Sequence, residues 1–116
     1  MSAIEYDHLH VVHYLVERGA DNEKAADDGR NPLYIAAQNG HLAVVQYLVE
    51  QRADKDKATN DGASPLCGAA FHGHYSVLKF LVEQGTDKDK TRNDGAFPLY
   101  IAAENDHVVV VQYLIE

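Results

Sequence analysis

Apolar side chains in this chain come in short blocks separated by polar, glycine-containing stretches. Val44, Val45, Leu48 and Val49 fall one, three and four positions apart, which puts them on one face of a helix and predicts an amphipathic segment. A shorter apolar block, Leu33-Tyr34-Ile35-Ala36-Ala37, stands just upstream. Asn31 before Pro32 supplies that block with a capping side chain and a proline at the first helical position, so a helix starts there. It ends at Gly40, where a left-handed residue is tolerated. The pattern reads as two short helices in succession.

The same pattern returns with a period of 33. Asp28-Gly29, Asp61-Gly62 and Asp94-Gly95 mark it, as do Pro32-Leu33, Pro65-Leu66 and Pro98-Leu99. His8, His41, His74 and His107 keep the same beat, and so do the pairs Tyr14-Leu15, Tyr47-Leu48, Phe80-Leu81 and Tyr113-Leu114. Two full units run over 27–59 and 60–92, a shorter one over 93–116, and 1–26 match only the later part of a unit. Each full unit opens on a tight Asp-Gly turn, as in Asn60-Asp61-Gly62-Ala63. Ser64 repeats the cap of Asn31, whereas Phe97 removes it. Gly73 repeats the stop of Gly40, but Asp106 stands there in the last unit. Gly85 ends the second helix of the middle unit and Arg52 occupies the matching place before it, which predicts a different or strained terminus. Helices of about eight to eleven residues are marginal alone, so they must stack on neighbours. Ala36-Ala37, Ala69-Ala70 and Ala102-Ala103 are small enough to permit that approach.

A turn and two helices in 33 residues, carrying Gly-x-x-Pro-Leu, Ala-Ala, Gly-His, Val-Val and Ala-Asp, closely resembles the ankyrin repeat. The resemblance implies an all-α solenoid of about three and a half repeats, forming one domain over 1–116. The family's Thr-Pro-Leu-His appears as Asn31-Pro32-Leu33-Tyr34, Ser64-Pro65-Leu66-Cys67 and Phe97-Pro98-Leu99-Tyr100. No unit keeps both Thr and His, so the bonds those residues make between repeats must be replaced. The tyrosines offer apolar area for this, provided their hydroxyls find partners. Asp54-Lys55-Asp56-Lys57 and Asp87-Lys88-Asp89-Lys90 alternate in sign and read as solvated connections.

Composition narrows the function classes. The 116 residues carry 18 acidic and 10 basic side chains, a net charge of −8, which argues against nucleic acid or an anionic membrane and favours a protein partner with a basic face. No apolar run, Val108 to Val111 included, approaches the roughly 20 residues of a spanning helix. Met1 to His10 lack the charge pattern of a secretory leader, and the single Cys67 fits a reducing compartment. The expected location is intracellular, in the cytoplasm.

Seven histidines invite a metal reading, but the four periodic ones serve the stack, because a catalytic group is used once and not in every unit. His10 and His13 share a helical face with His8 nearby, and His72 lies beside His74. Neither group supplies the defined ligand set that zinc requires. Cys67, in place of an inward-directed family histidine, reads as a small buried hydrophobe. The isolated periodic glycines do not form a phosphate-binding loop. No cofactor, metal site or catalytic residue is expected, and the chain reads as a non-enzyme.

A binding surface remains. The family binds partners through turn tips and first helices, on the concave face. Here the resemblance implies Arg30, Ala63 and Ala96 beside the turns, and Gln38, Asn39, Phe71, His72, Glu104 and Asn105 near the ends of the first helices. Units 27–59 and 93–116 resemble each other more than either resembles the middle unit, which has Cys67-Gly68 for Tyr-Ile and Phe71-His72 for Gln38-Asn39 and Glu104-Asn105. Phe71 has two readings, a partner-binding anchor or a filler folding over the space left by Gly68. The alternative to a binding module is a structural spacer. Val108 to Val111 with Leu114 and Ile115 are expected to present apolar surface and to favour end-to-end self-association.

Overall fold

Asn31 and Ser64 each precede a proline, and each opens a helix. The computed structural model describes residues 29–116, and among them six helices and no strand are found. They are α1 (Pro32–Gln38), α2 (Leu42–Glu50), α3 (Pro65–His72), α4 (Tyr75–Glu83), α5 (Pro98–Glu104) and α6 (Val108–Ile115). At 7 to 9 residues they lie from just below the expected range to its lower half. The Asn31 carboxamide oxygen accepts from the Tyr34 amide at 2.8 Å, and the Ser64 hydroxyl from that of Cys67 at 3.3 Å. Both caps are buried. Phe97 opens α5 with no side-chain bond, as its chemistry requires.

The left-handed positions keep their shape whatever residue fills them. Gly40 and Gly73 have φ of 74° and 71°, and Asp106 in their register has 61°. Gly85 has 89° and Arg52, its counterpart, 66°. The Arg52 terminus is therefore strained and not reshaped, since a β-carbon is unfavourable in that region.

The first helices α1, α3 and α5 pack side by side, and α2, α4 and α6 form a second layer against them. Leu33, Leu66 and Ile101 from the first layer and Leu48, Leu78, Leu81 and Val110 from the second make the core. Each fully buried aliphatic side chain contributes about 2 kcal/mol, which is how helices this short persist. Ala36, Ala37, Ala69, Ala70 and Ala102 are buried between helices, while Ala103 is exposed. Tyr75 and Tyr113 meet edge to face at 5.6 Å and join α4 to α6.

The Asp-Lys connections do more than face water. The Asp87 amide donates to the Asp56 carboxylate at 3.1 Å, and Lys90 Nζ donates to the Asp56 carbonyl at 2.6 Å. Asp56 therefore ties one connection to the next. The turns are linked in the same way, with the Asn93 amide donating to the Asp61 carbonyl at 2.8 Å and the Asn93 side chain to the Asn60 carbonyl at 3.2 Å. These polar bonds link successive units outside the first helices, whose Thr and His positions hold other residues. On α6 the apolar residues divide: Val110 and Leu114 are buried, whereas Val108, Val109 and Ile115 are 61%, 57% and 65% exposed.

Candidate functional site

The site starts from a deletion. The middle unit carries Gly68 on α3, and a β-carbon there would come within 3.2 Å of the Tyr34 ring and 3.3 Å of Gln38 Cβ. Tyr34 of α1 thus lies over the space that Gly68 leaves. Phe71 is not the filler, and its ring is 45% exposed.

Between these residues lies a shallow cleft of about 190 Å³, lined by Tyr34 and Gln38 of α1, Cys67, Phe71 and His72 of α3, and Ala63 and Arg92 from the turns. Phe71 and His72 meet edge to face at 4.9 Å, and His72 stacks on His74 with ring centres 6.0 Å apart. Burial pushes the Tyr34 phenol above its usual range, with Cys67 and Asp61 adding to the effect and Arg30 and Arg92 opposing it. Burial, then His74 and His107, holds the His72 imidazole below its ordinary range.

The residues expected from the sequence separate into groups. Gln38, Phe71 and His72 come together at the cleft. Asn39 and Asn105 lie beside their own helices, where their side-chain amides donate to the carbonyls of Ile35 at 2.9 Å and Ile101 at 2.8 Å. Each thereby closes the end of a first helix. Glu104 borders a second hollow of about 430 Å³ with Tyr100, Phe97 and Arg92, and its hydrogen bond and charge hold the Tyr100 phenol above its usual range. Arg30 is half-buried ahead of α1. Ala63 and Ala96 are 4% and 7% exposed, so their side chains offer a partner little contact. Their burial follows from the turn, whose closing bonds run from the Thr59 amide to the Ala63 carbonyl and from Arg92 to Ala96.

Arg92 was not anticipated from the sequence. It lines both hollows and pairs with Asp94 at 2.9 Å, while the Asp94 carboxylate also accepts from the Ala96 amide at 3.1 Å. Its position in the short turn before the next unit was the only available signal. The Cys67 thiol is buried, 3.9 Å from the Lys90 carbonyl, and behaves as core. Among the described residues no three His, Cys, Asp or Glu side chains are arranged to hold a metal ion. His8, His10 and His13 lie outside the described residues. No helix among the described residues is long and apolar enough to cross a membrane.

Two layers of short helices, one turn and one helix pair per 33 residues, define an α-helical solenoid. A family model for ankyrin repeats, in three copies, matches residues 1–92 and 66–116, and the chain belongs to the ankyrin-repeat family. Comparison with curated proteins finds no match. Ankyrin repeats are in general protein–protein interaction modules and typically lack enzymatic activity.

Proposed function

We propose that this chain is a non-enzymatic interaction module that takes a partner protein across the cleft formed by Gln38, Phe71 and His72. The exposure of Phe71 carries the reading: an aromatic ring 45% open to solvent, beside a cleft, is not used to fill the space at Gly68. Large aromatic side chains in such settings provide most of the energy of an interface. Arg30, Asn39, Glu104 and Asn105 are proposed to contribute further contacts to the partner outside this cleft. A net charge of −8 favours a partner with a basic face and disfavours nucleic acid and anionic membranes. No cofactor enters this function, which is placed in the cytoplasm. The functional unit is one repeat domain over 1–116, and exposed Val108, Val109 and Ile115 support end-to-end self-association at high concentration.

Affinity capture with the wild-type chain beside the Phe71→Ala/His72→Ala double variant tests the reading. A partner retained by the first and lost by the second, with thermal unfolding little changed, supports it. Retention of every partner by the double variant, or loss only with a collapse in Tm, overturns it.

A further inference from the structure

The turns at 60–63 and 93–96 share one sequence, Asn-Asp-Gly-Ala, and nearly one backbone, with φ of 84° at Gly62 and 86° at Gly95. Both glycine amides donate at 2.9 Å, Gly62 to the Thr59 carbonyl and Gly95 to that of Arg92. The turns differ in what closes them. The Thr59 hydroxyl accepts from the Ala63 amide at 3.2 Å. Arg92 stands 33 positions later in the register of Thr59 and has no hydroxyl to offer. There the Asp94 carboxylate takes over, accepting from the Ala96 amide at 3.1 Å and from Arg92 Nε and Nη2 at 3.3 and 2.9 Å.

This exchange leaves the two aspartates differently bound. The bond from the Ala96 amide, then those from Arg92, hold the Asp94 carboxyl below the ordinary carboxylate range. Asp61 is exposed, and its carboxylate makes no hydrogen bond among the described residues. Its backbone carbonyl accepts from the Asn93 amide at 2.8 Å, but that bond does not hold the side chain. Arg92 reaches Asp61 through charge alone: the guanidinium is raised first by its bond to Asp94, and Asp61 contributes last.

We propose that Asp61-Gly62 is a site of spontaneous isoaspartate formation, and that Arg92 shields the identical Asp94-Gly95 step from the same modification. An amide nitrogen is least obstructed when its residue is glycine, which has no β-carbon. The Gly62 nitrogen attacks Cγ of the protonated Asp61 carboxyl, and the amide proton and the carboxyl hydroxyl leave as water, closing a succinimide. Water then adds at the former main-chain carbonyl, and the bond from that carbon to nitrogen breaks. The chain now runs through Cβ and Cγ, and a free α-carboxylate stands on the turn. One water is released and one consumed, so the mass is unchanged and no other reactant is needed. At Asp94 the same attack must first break the bonds from Ala96 and Arg92 and protonate a carboxylate that they hold in its charged form. The lengthened chain at Asp61 lies two residues before Ala63, which lines the Phe71 cleft, and includes the carbonyl bonded to Asn93. The reaction is independent of what binds at that cleft.

The full chain, incubated at mildly acidic pH both folded and in guanidinium chloride, tests this, with isoaspartate at each position measured by peptide mapping and electron-transfer fragmentation. In the folded chain Asp61 is expected to convert several times faster than Asp94. In denaturant, where the shared Asn-Asp-Gly-Ala sequence dominates, the two are expected to convert alike. Arg92→Thr gives the second turn the closure of the first and is expected to raise the Asp94 rate to that of Asp61. The exchange Thr59→Arg/Arg92→Thr, with Tm confirming that it folds, is expected to reverse the wild-type order. An Asp94 rate equal to that of Asp61 in the folded wild type, no isoaspartate at Asp61, or an Asp94 rate unmoved by Arg92→Thr overturns the proposal. A preference for Asp61 that persists in denaturant also overturns it.

Discussion

The imidazole of His107 reaches back one unit, and its Nε2 lies 2.8 Å from the backbone carbonyl of Phe71 near the end of α3. The last turn of a helix leaves carbonyls without intrahelical donors, and here the following unit supplies one. The ring also closes over Gly73, where an added β-carbon would fall 2.5 Å from His107 Nδ1. A periodic histidine is thus a clamp between units, attached to the same residue whose side chain borders the cleft. His107→Ala is expected to cost about 1 kcal/mol, the net value of one such bond. Urea unfolding measures it. An unchanged midpoint would show that the bond is replaced by water at no cost.

The left-handed residues provide a stabilising prediction. Arg52 and Asp106 hold φ of 66° and 61° that glycine accepts without penalty. Arg52→Gly and Asp106→Gly are each expected to raise stability by up to about 1 kcal/mol, the strain relieved less the added freedom of the unfolded chain. The opposite change, Gly73→Ala, carries both the φ penalty and a collision with His107, so its loss exceeds either gain. Thermal unfolding of the three variants orders them.

The sequence was informative wherever a property repeats. Proline after a capping residue, glycine after a helix and apolar residues three and four apart are local signals, and they located the helices. The site was only partly legible, because it depends on contacts between residues 31 to 36 positions apart. Gly68 stood out as lost volume, but its replacement by Tyr34 belongs to a neighbouring unit and leaves no local trace. Asp56 looked like one member of an alternating charged run, yet its carboxylate and carbonyl bind the next connection. The periodic histidines read as serving the stack, but the carbonyl that His107 meets, 36 positions back, leaves no local trace. Asn39 and Asn105 read as binding-surface residues because, in sequence, a side chain turning back on its own helix end is no different from one facing a partner.

The histidines near the cleft predict a pH dependence. His72 is held below its ordinary 6.5 by burial and by His74 and His107. The native protein therefore takes up that proton less readily than the unfolded chain. Stability is fully present above about 6.5 and declines as pH falls through the lowered native value. His72→Gln is expected to flatten this part of the profile. Tm measured between about pH 5 and pH 7.5 checks it, and parallel profiles for wild type and variant would remove His72 as the source.

Asp56 predicts a loss where the sequence suggests a tolerant position. Asp56→Ala removes the acceptor for the Asp87 amide at 3.1 Å and leaves the bond from Lys90 to the Asp56 carbonyl in place. The expected cost is about 0.5–1 kcal/mol, as the pair is exposed and water competes for it. Hydrogen exchange at the Asp87 amide is the sharper measurement, since that proton is predicted to exchange faster in the variant while core amides of α3 change little.

The missing cap at Phe97 provides the last test. Asn31 and Ser64 each satisfy an amide at the start of a first helix, and α5 has no side-chain equivalent. Phe97→Ser places a hydroxyl in the same extended backbone conformation, where a cap contributes about 1 kcal/mol. The change also removes a ring that is 37% exposed and lies 6.3 Å from that of Tyr100. Because the ring is only partly buried and its contact with Tyr100 is tilted and distant, the loss is smaller than full burial of a phenylalanine implies. The two effects oppose each other, and a net gain of under about 1 kcal/mol is expected. Asn31→Ala, which removes a buried cap without relieving anything, is expected to cost about 1–2 kcal/mol. Equilibrium unfolding of both variants separates the terms. A destabilised Phe97→Ser beside a destabilised Asn31→Ala would mean that the aromatic pair at α5 outweighs the cap it displaced.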